Sequence, residues 1–395
     1  MPAKSIISSA QISVEEMRQR QPQLLELLQS LVEVESPSDE KAAVDRCVDL
    51  VATRAEGLGG RVRRHRQREF GDLLEVRFGR SIRGTKPILL LGHLDTVWPL
   101  GTLARMPFRV QKGRVWGPGV YDMKAGVAMA LAAVQWLGEQ SAAGNRAAGR
   151  PVVLLLVSDE EVGSPASRAL TEKIASECEA VYVLEPAQGL DPGAYKTARK
   201  GVGNYRVHVR GVAAHSGVDF EKGHSAIAEL AYQIGVIQGV TNLQQGITVN
   251  VGTIQGGTRS NVIAAEAWAE VDVRIARTID VARVDRRFRR LRVQDRHCIL
   301  KIEGGLNRPP MERTPGTVAL FRRAATLAAA MGFGLQEAAT GGGSDGNFTS
   351  ALGIPTLDGM GAVGEGAHAA HESLLLKDLA PRTALLTAML MKPEG

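Results

Sequence analysis

Three short stretches of the chain are apolar almost without interruption: Ile88 to Leu91, Val152 to Val157 and Ala180 to Leu184. Turn formers bound each of them, Pro87 and Gly92, then Pro151 and Ser158, then Pro186. A continuous apolar run of this length between such residues reads as a strand buried on both faces. Asp72 to Phe78 alternates apolar and polar residues, as a half-buried strand does. The segments between carry the helical period instead. Residues 12–34 place Leu24, Leu27, Leu28 and Leu31 on one face before Ser36-Pro37-Ser38 ends the pattern, and residues 40–58 close on Gly59-Gly60. A long apolar helix follows Asp122 to about Leu137. Buried strands alternating with helices predict an α/β fold, a mostly parallel sheet with helices on both faces.

From Gly201 the texture changes. Val202 to Arg210 alternates as a strand, Ser225 to Ile237 is helical, and 246–255 and 262–276 read as strands. Residues 279–293 are helical and 299–303 form a last strand. Strand-helix-strand-strand-helix-strand is the split βαβ order of a ferredoxin-like α+β module. Pro309-Pro310 marks its exit. The α/β pattern then resumes, with a helix over 317–331, a strand near 354–357 and a helix over 379–391. The expected division is therefore 1–199 and 312–395 for one domain, with 200–311 inserted.

Composition changes this picture little. The chain has 395 residues, 44% apolar and 23% charged, as ordinary globular proteins do. The net charge of +6 raises the question of nucleic acid. The densest basic run, Arg286-Arg287-Phe288-Arg289-Arg290-Leu291-Arg292, lies on a helix whose apolar stripe is Val281, Val284, Phe288 and Leu291, so its arginines read as a solvated face. Neither nucleic acid nor a membrane is expected as a partner. Cys47, Cys178 and Cys298 are scattered and fit reduced thiols of a cytoplasmic protein. Ile6-Ile7 is too short an apolar run for a secretion signal.

In sheets of this kind ligands sit outside the carboxyl ends of the strands. His93, Glu160, Glu161 and Glu185 all fall at such ends. Alone, His93 and Asp95 at i and i+2 fit a loop histidine and a capping aspartate as well as a metal ligand and its orienter. With Asp122 and His368 they form a set, His93, Asp122, Glu161, Glu185 and His368, with Glu160 left over. Two imidazoles and three carboxylates suit a pair of borderline metal ions sharing one carboxylate. The adjacent Glu160 and Glu161 cannot easily point to one place, so one is expected to bind metal and the other to handle protons. Gly341-Gly342-Gly343 lacks the Gly-Lys-Ser/Thr of a nucleotide loop; a close backbone approach of Gly342 and Gly343 to substrate is the better reading.

These motifs resemble the zinc peptidase family that includes bacterial glutamate carboxypeptidase, aminoacylase, acetylornithine deacetylase and succinyl-diaminopimelate desuccinylase. The resemblance spans His93 to Glu372 and is strongest to the glutamate carboxypeptidase branch. Pro107-Phe108-Arg109-Val110, Gly117-Pro118-Gly119, Asp159-Glu160-Glu161, Glu185-Pro186 and Gly341-Gly342-Gly343-Ser344-Asp345 carry it, in order. It implies two Zn²⁺ per chain, with Co²⁺ or Mn²⁺ as substitutes. His93 and Glu185 would complete one site, Glu161 and His368 the other, and Asp122 would bridge them. Asp95 would orient His93, and Glu160 would be the general base. His215, in Gly211-Val212-Ala213-Ala214-His215-Ser216-Gly217, would reach the active site of a partner subunit and stabilise the oxyanion. Asn261 and Arg274 would hold the substrate carboxylate, for which a guanidinium fork is suited. A homodimer through the inserted module and a cis peptide bond between Asp122 and Met123 are further implications.

The expected reaction is hydrolysis of an amide beside a free C-terminal carboxylate, in a dipeptide or an N-acyl amino acid. Release of a C-terminal amino acid is favoured over deacylation. The metal motifs do not separate the two. A silent dimeric binding protein is the remaining class, and the intact Glu160 argues against it. Two positions depart from the family pattern: His224, where relatives carry Asn, and His371, where they carry Asp or Asn. Glu372 sets the register that makes His368 the ligand. His65, His208 and His297 read as ordinary surface or strand residues.

Overall fold

The computed structural model describes residues 12–80 and 82–392. Ile6 and Ile7 lie outside them. In chain order the first elements are helices α1 (Val14–Glu33) and α2 (Lys41–Gly57), strands β1 (Arg61–His65), β2 (Leu73–Phe78) and β3 (Ile88–His93), helix α3 (Ala125–Ala142), strand β4 (Val152–Val157), helix α4 (Arg168–Ser176) and strand β5 (Ala180–Val183). Strand β6 (Gly201–Arg210), helix α5 (Ala226–Gln238), strands β7 (Thr248–Gly256) and β8 (Glu266–Ile275), helix α6 (Thr278–Arg289) and strand β9 (Ile299–Arg308) follow. Helices α7 (Pro315–Ala330) and α8 (Gly346–Ala351), strand β10 (Thr356–Leu357) and helix α9 (Leu376–Leu390) come last.

The described chain forms two compact units. One takes the residues up to Thr197, Arg313–Ala339 and those from Ser344 on; the other takes Ala198–Glu312 and Thr340–Gly343. The triple-glycine loop thus goes with the second unit, not with the first as its position in sequence suggests. The Lys200 amide donates to the Thr340 carbonyl at 3.0 Å, and Arg199 Nη1 donates to the Gly342 and Gly343 carbonyls at 3.2 and 3.0 Å.

In the first unit six strands form one sheet in the order β1-β2-β4-β3-β5-β10. β4, β3, β5 and β10 run parallel, and β2 joins β4 antiparallel. Every residue of β3, β4 and β5 is buried. Alternate side chains serve opposite faces, as strand geometry requires. Leu90, Leu154, Leu156 and Tyr182 pack into the core that includes α1, α3 and α9, while Leu89, Leu91, Leu155 and Val183 pack against Ile174 and Ala175 of α4. Both faces are therefore covered by helices. Helix α3 lies so near β5 that a Cβ on Gly126 would come within 2.1 Å of the Leu184 carbonyl oxygen. Only glycine fits there.

A small antiparallel sheet matters more for the site. Gly364–Glu365 pairs with Ser373–Leu375, which pairs with Arg114–Trp116, and that with Arg109–Gln111. It ties the loop carrying His368 to the segment that leads into Asp122.

The second unit is a four-stranded antiparallel sheet, β7-β8-β6-β9, with the βαββαβ chain order. One face of β6 and β8 is buried, and Tyr205, Val207, Val271 and Val273 share a core with Leu230 of α5 and Val284 and Phe288 of α6. Arg286, Arg287 and Arg289 stand on the exposed side of α6. The architecture is α/β with a ferredoxin-like α+β insert.

Candidate active site

His93 is the last residue of β3, Glu160 and Glu161 lie just after β4, and Glu185 follows β5 by two residues. The parallel stretch of the sheet thus delivers three ligand segments to one edge. Asp122 arrives in the irregular turn Val120–Lys124 ahead of α3, and the bond from Asp122 to Met123 is cis.

The side chains converge. His93 Nε2 lies 3.3 Å from Asp122 Oδ1 and 3.8 Å from Glu185 Oε1. His368 Nε2 lies 3.1 Å from Glu161 Oε2 and 3.6 Å from Asp122 Oδ2. The two oxygens of Asp122 therefore face two different histidines. The donor atoms of His93, Asp122 and Glu161 lie within 4.8 Å of one another, as do those of His93, Glu160 and Glu185. The adjacent glutamates do part company: Glu160 groups with Glu185, and Glu161 with Asp122 and His368. Of the two histidines near the C-terminus only His368 enters this cluster among the described contacts. His371 is exposed, and its carbonyl accepts from Ser373 Oγ at 3.3 Å. His368 takes φ +62°, a left-handed backbone that a non-glycine residue adopts at a cost of about 1–3 kcal/mol when the surroundings enforce it.

Asp95 differs from the expectation in how it works. The His93 ring is oriented by the Asp95 backbone carbonyl, which accepts from Nδ1 at 2.8 Å, while carboxylate Oδ1 stands off at 3.5 Å. The carboxylate instead accepts from Ser38 Oγ at 2.7 Å and from the Glu160 and Glu161 amides at 3.3 and 3.2 Å. One residue thus fixes His93 with its backbone and the glutamate turn with its side chain.

Glu372, which sequence reasoning used only to set the register, is built into the turn that carries Asp122. Its Oε2 accepts from Trp98 Nε1 at 2.7 Å and the Gly119 amide at 2.9 Å; its Oε1 accepts from the Tyr121 and Asp122 amides at 2.9 and 3.1 Å. Four donors on one carboxylate hold the Asp122 turn. The available signal was a carboxylate four residues beyond His368, and no local pattern said what it would hold.

Electrostatics follow from this crowding. Burial alone would lower His93, but its hydrogen bonds with Asp122 and Asp95 hold it well above the ordinary histidine value. The hydrogen bond with Glu161 pushes His368 up to about 9. Burial pushes Asp122 up, yet the two histidines bring it below the usual carboxylate range. Burial dominates at Glu161, which is raised. Glu161 Oε1 is buried with no hydrogen-bond partner. A carbonyl can only accept, so His93 must carry a proton on Nδ1 and turns Nε2 toward the carboxylates. Acidic oxygens that call for positive charge at two imidazoles, and one orphaned acceptor among them, fit a pair of divalent ions.

In the second unit, His215 is exposed, and its Nδ1 accepts from the Gly217 and Val218 amides at 3.1 and 3.2 Å. That fixes the tautomer with the proton on Nε2. Asn261 is exposed, and its carbonyl accepts from the Ser216 amide at 3.0 Å. Arg274 is engaged within its own strand: Nε and Nη2 donate to the two oxygens of Asp272 at 2.9 and 2.8 Å, and Nη1 reaches the Gly341 carbonyl at 3.5 Å. His65 pairs with Glu75 at 2.9 Å, and His224 and His297 stack on each other.

Sheet, strand-end ligands and carboxylate-linked histidines define a metallohydrolase. Residues 89–392 match the family model "Peptidase family M20/M25/M40", and the chain belongs to that family. It is 27% identical over 383 residues to carboxypeptidase G2 of Pseudomonas sp. (strain RS-16), covering 95% of this chain and 90% of that protein. It is also 27% identical over 358 residues to the succinyl-diaminopimelate desuccinylase of Acidovorax ebreus, covering 85% and 90%. Among solved structures, the M20 family metallo-carboxypeptidase Sso-CP2 of Sulfolobus solfataricus shares the fold, with a TM-score of 0.72, 17% identity and coverage of 93% of this chain and 98% of that one. The protein is a hydrolytic enzyme of the peptidase or deacylase kind, and its family binds divalent metal.

Proposed function

We propose that the protein is a dinuclear zinc hydrolase that cleaves an amide beside a free C-terminal carboxylate, releasing a C-terminal amino acid from a small peptide or N-acyl amino acid. The observation that carries this reading is Asp122, whose two oxygens face His93 and His368 separately while Glu160 stands with His93 and Glu185. His93 and Glu185 would hold one ion, Glu161 and His368 the other, and Asp122 both. When bound, such a pair polarises the scissile carbonyl and lowers the pKa of the attacking water toward about 7. Glu160 takes that water's proton and returns it to the departing amine. Asp95 keeps both Glu160 and His93 in place.

The second unit supplies recognition. His215, with its proton on Nε2, offers a donor to the developing oxyanion. Arg274 and Asn261 take the substrate carboxylate, and the Gly342 and Gly343 backbone lies close to the substrate. The Arg274–Asp272 pair is about one-third exposed on each side, and such pairs are worth about 0–1 kcal/mol, so a substrate carboxylate can displace Asp272 cheaply. We infer a homodimer through this unit. Three buried, unpaired cysteines suit a reducing compartment, so we place the protein in the cytoplasm. No helix of the described residues is long and apolar enough to cross a membrane.

Similarity to a desuccinylase favours N-acyl-amino-acid deacylation as the second reading. The test is metal analysis of purified protein together with a panel of dipeptides and N-acyl amino acids, each with a free or an amidated carboxylate. About two zinc ions per chain are expected at the active site. Turnover of free-carboxylate substrates should be abolished by chelation and restored by zinc. Full turnover by metal-stripped protein, or none on any substrate, would refute the reading.

A further inference from the structure

We propose that the second unit carries a divalent-metal site of its own, formed by His224, Asp295 and His297. Their donor atoms lie within 4.8 Å of one another, and none belongs to the active-site cluster. His224 Nδ1 is 2.7 Å from Asp295 Oδ2, and His297 Nδ1 is 3.2 Å from Asp295 Oδ1. The two imidazoles stack, with centroids 4.0 Å apart and planes 27° from parallel.

The donors are set by backbone, not by chance contact of long side chains. His224 exchanges amide and carbonyl hydrogen bonds with Val212 at 2.9 and 2.8 Å. The Asp295 turn is held from beneath by Glu229, which is 3% exposed and accepts from the Gln294 and Asp295 amides at 2.8–3.1 Å. The His297 amide donates to Asp295 Oδ1 at 2.9 Å and closes the turn. That amide first, then the His224 hydrogen bond, hold the Asp295 carboxyl below its usual range, so it is ionised at neutral pH.

Two stacked imidazoles facing the two oxygens of one carboxylate are a nitrogen-rich set suited to Zn²⁺, Ni²⁺ or Cu²⁺ rather than to Ca²⁺ or Mg²⁺. Tetrahedral bonds of about 2.0–2.1 Å put neighbouring donor atoms about 3.3 Å apart. The His297–Asp295 separation already matches, the His224–Asp295 contact needs to open by about 0.6 Å, and the two rings must turn out of their stack so that both lone pairs meet at the ion. Binding at Nδ1 displaces the proton that now points at Asp295 to Nε2 of the same imidazole, so each ring changes tautomer as the ion enters. His224 and Asp295 also line a groove of about 650 Å³, which gives the ion access and leaves room for water in its remaining positions. The bound ion would staple the loop before α5 to the loop before β9.

The probe is Zn²⁺ alone, on the full chain stripped with chelator and then brought to equilibrium by dialysis against zinc in micromolar excess. Bound metal is counted for wild type, His224→Asn and His297→Gln, with circular dichroism melts alongside. His297 is half-exposed, so His297→Gln reports even where His224→Asn disturbs the loop. The expected result is one zinc ion fewer per chain in each folded variant, with the corresponding Co²⁺ difference spectrum lost. A wild-type count that His297→Gln retains overturns the proposal. The comparison is a difference between variants outside the active site, so it holds whatever the active-site stoichiometry and whether or not any substrate is hydrolysed.

Discussion

Replacing Glu372 by glutamine tests the active-site argument where sequence patterns gave least help. The carboxylate receives four N–H donors, two on each oxygen. Glutamine keeps one acceptor oxygen and turns an NH₂ group toward the other pair, so two hydrogen bonds become donor-against-donor contacts. A hydrogen bond to a charged group is worth about 1.5–3 kcal/mol, which makes the expected loss about 3–6 kcal/mol. Against a total of about 5–15 kcal/mol for a folded protein this is severe. For a chain of 395 residues the melting point should fall by about 4–7 °C. The Asp122 turn hangs on the same carboxylate, so metal affinity should fall about 10–100-fold, as it does when groups that position ligands are removed. Denaturant titration of metal-stripped protein reads the first effect, and competition with a zinc chelator reads the second. A stability change within about 1 kcal/mol, with metal affinity unchanged, would mean the four contacts do not organise the turn.

Further outcomes bear on the reaction itself. Glu160→Gln should keep its metal while kcat drops by roughly 10² or more, whereas Glu161→Gln should lose metal; exchanged phenotypes in metal analysis and kinetics would reverse the assignment. Arg274→Ala should lower kcat/KM for a free-carboxylate substrate by about one to two orders of magnitude and leave an amidated analogue nearly unaffected. An equal loss on both would assign Arg274 to packing. Mixing the inactive His215→Ala and Glu160→Gln proteins should restore some activity once subunits exchange, because one site of each mixed dimer holds both residues. No recovery despite exchange shown by native mass spectrometry would remove the trans role of His215.

How much of this was legible in the sequence varied with burial. Strand Val152–Val157 was bounded to the residue, because a strand covered on both faces must be apolar throughout. Strand β1 was missed: Arg61–His65 lies at the sheet edge with three of five residues exposed, and its run of charges hides the alternation of a strand. The small sheet that carries the His368 loop was missed too, since strands of two or three residues are too short to show a period. Strand β9 runs to Arg308, five residues past the expected end at Glu303. A Cβ on Gly304 would come within 2.1 Å of the Asn204 carbonyl oxygen, so that glycine permits the close approach to β6. Among the site residues, His93 and the glutamates were found from their strand ends. The divided work of Asp95 could not be found that way, because only its carboxylate is visible as chemistry in a sequence.

The left-handed backbone at His368 sets one position apart in any attempt to evolve this protein. Glycine or asparagine would relieve that conformation but bring no imidazole. A library screened for heat resistance alone would therefore be drawn toward those residues at 368, and on the proposed metal assignment its hardiest members would be inactive. Selection on turnover would push the opposite way, back to histidine. At this codon thermal robustness and catalysis compete directly, so a thermostabilising campaign should hold it fixed and seek its gains elsewhere.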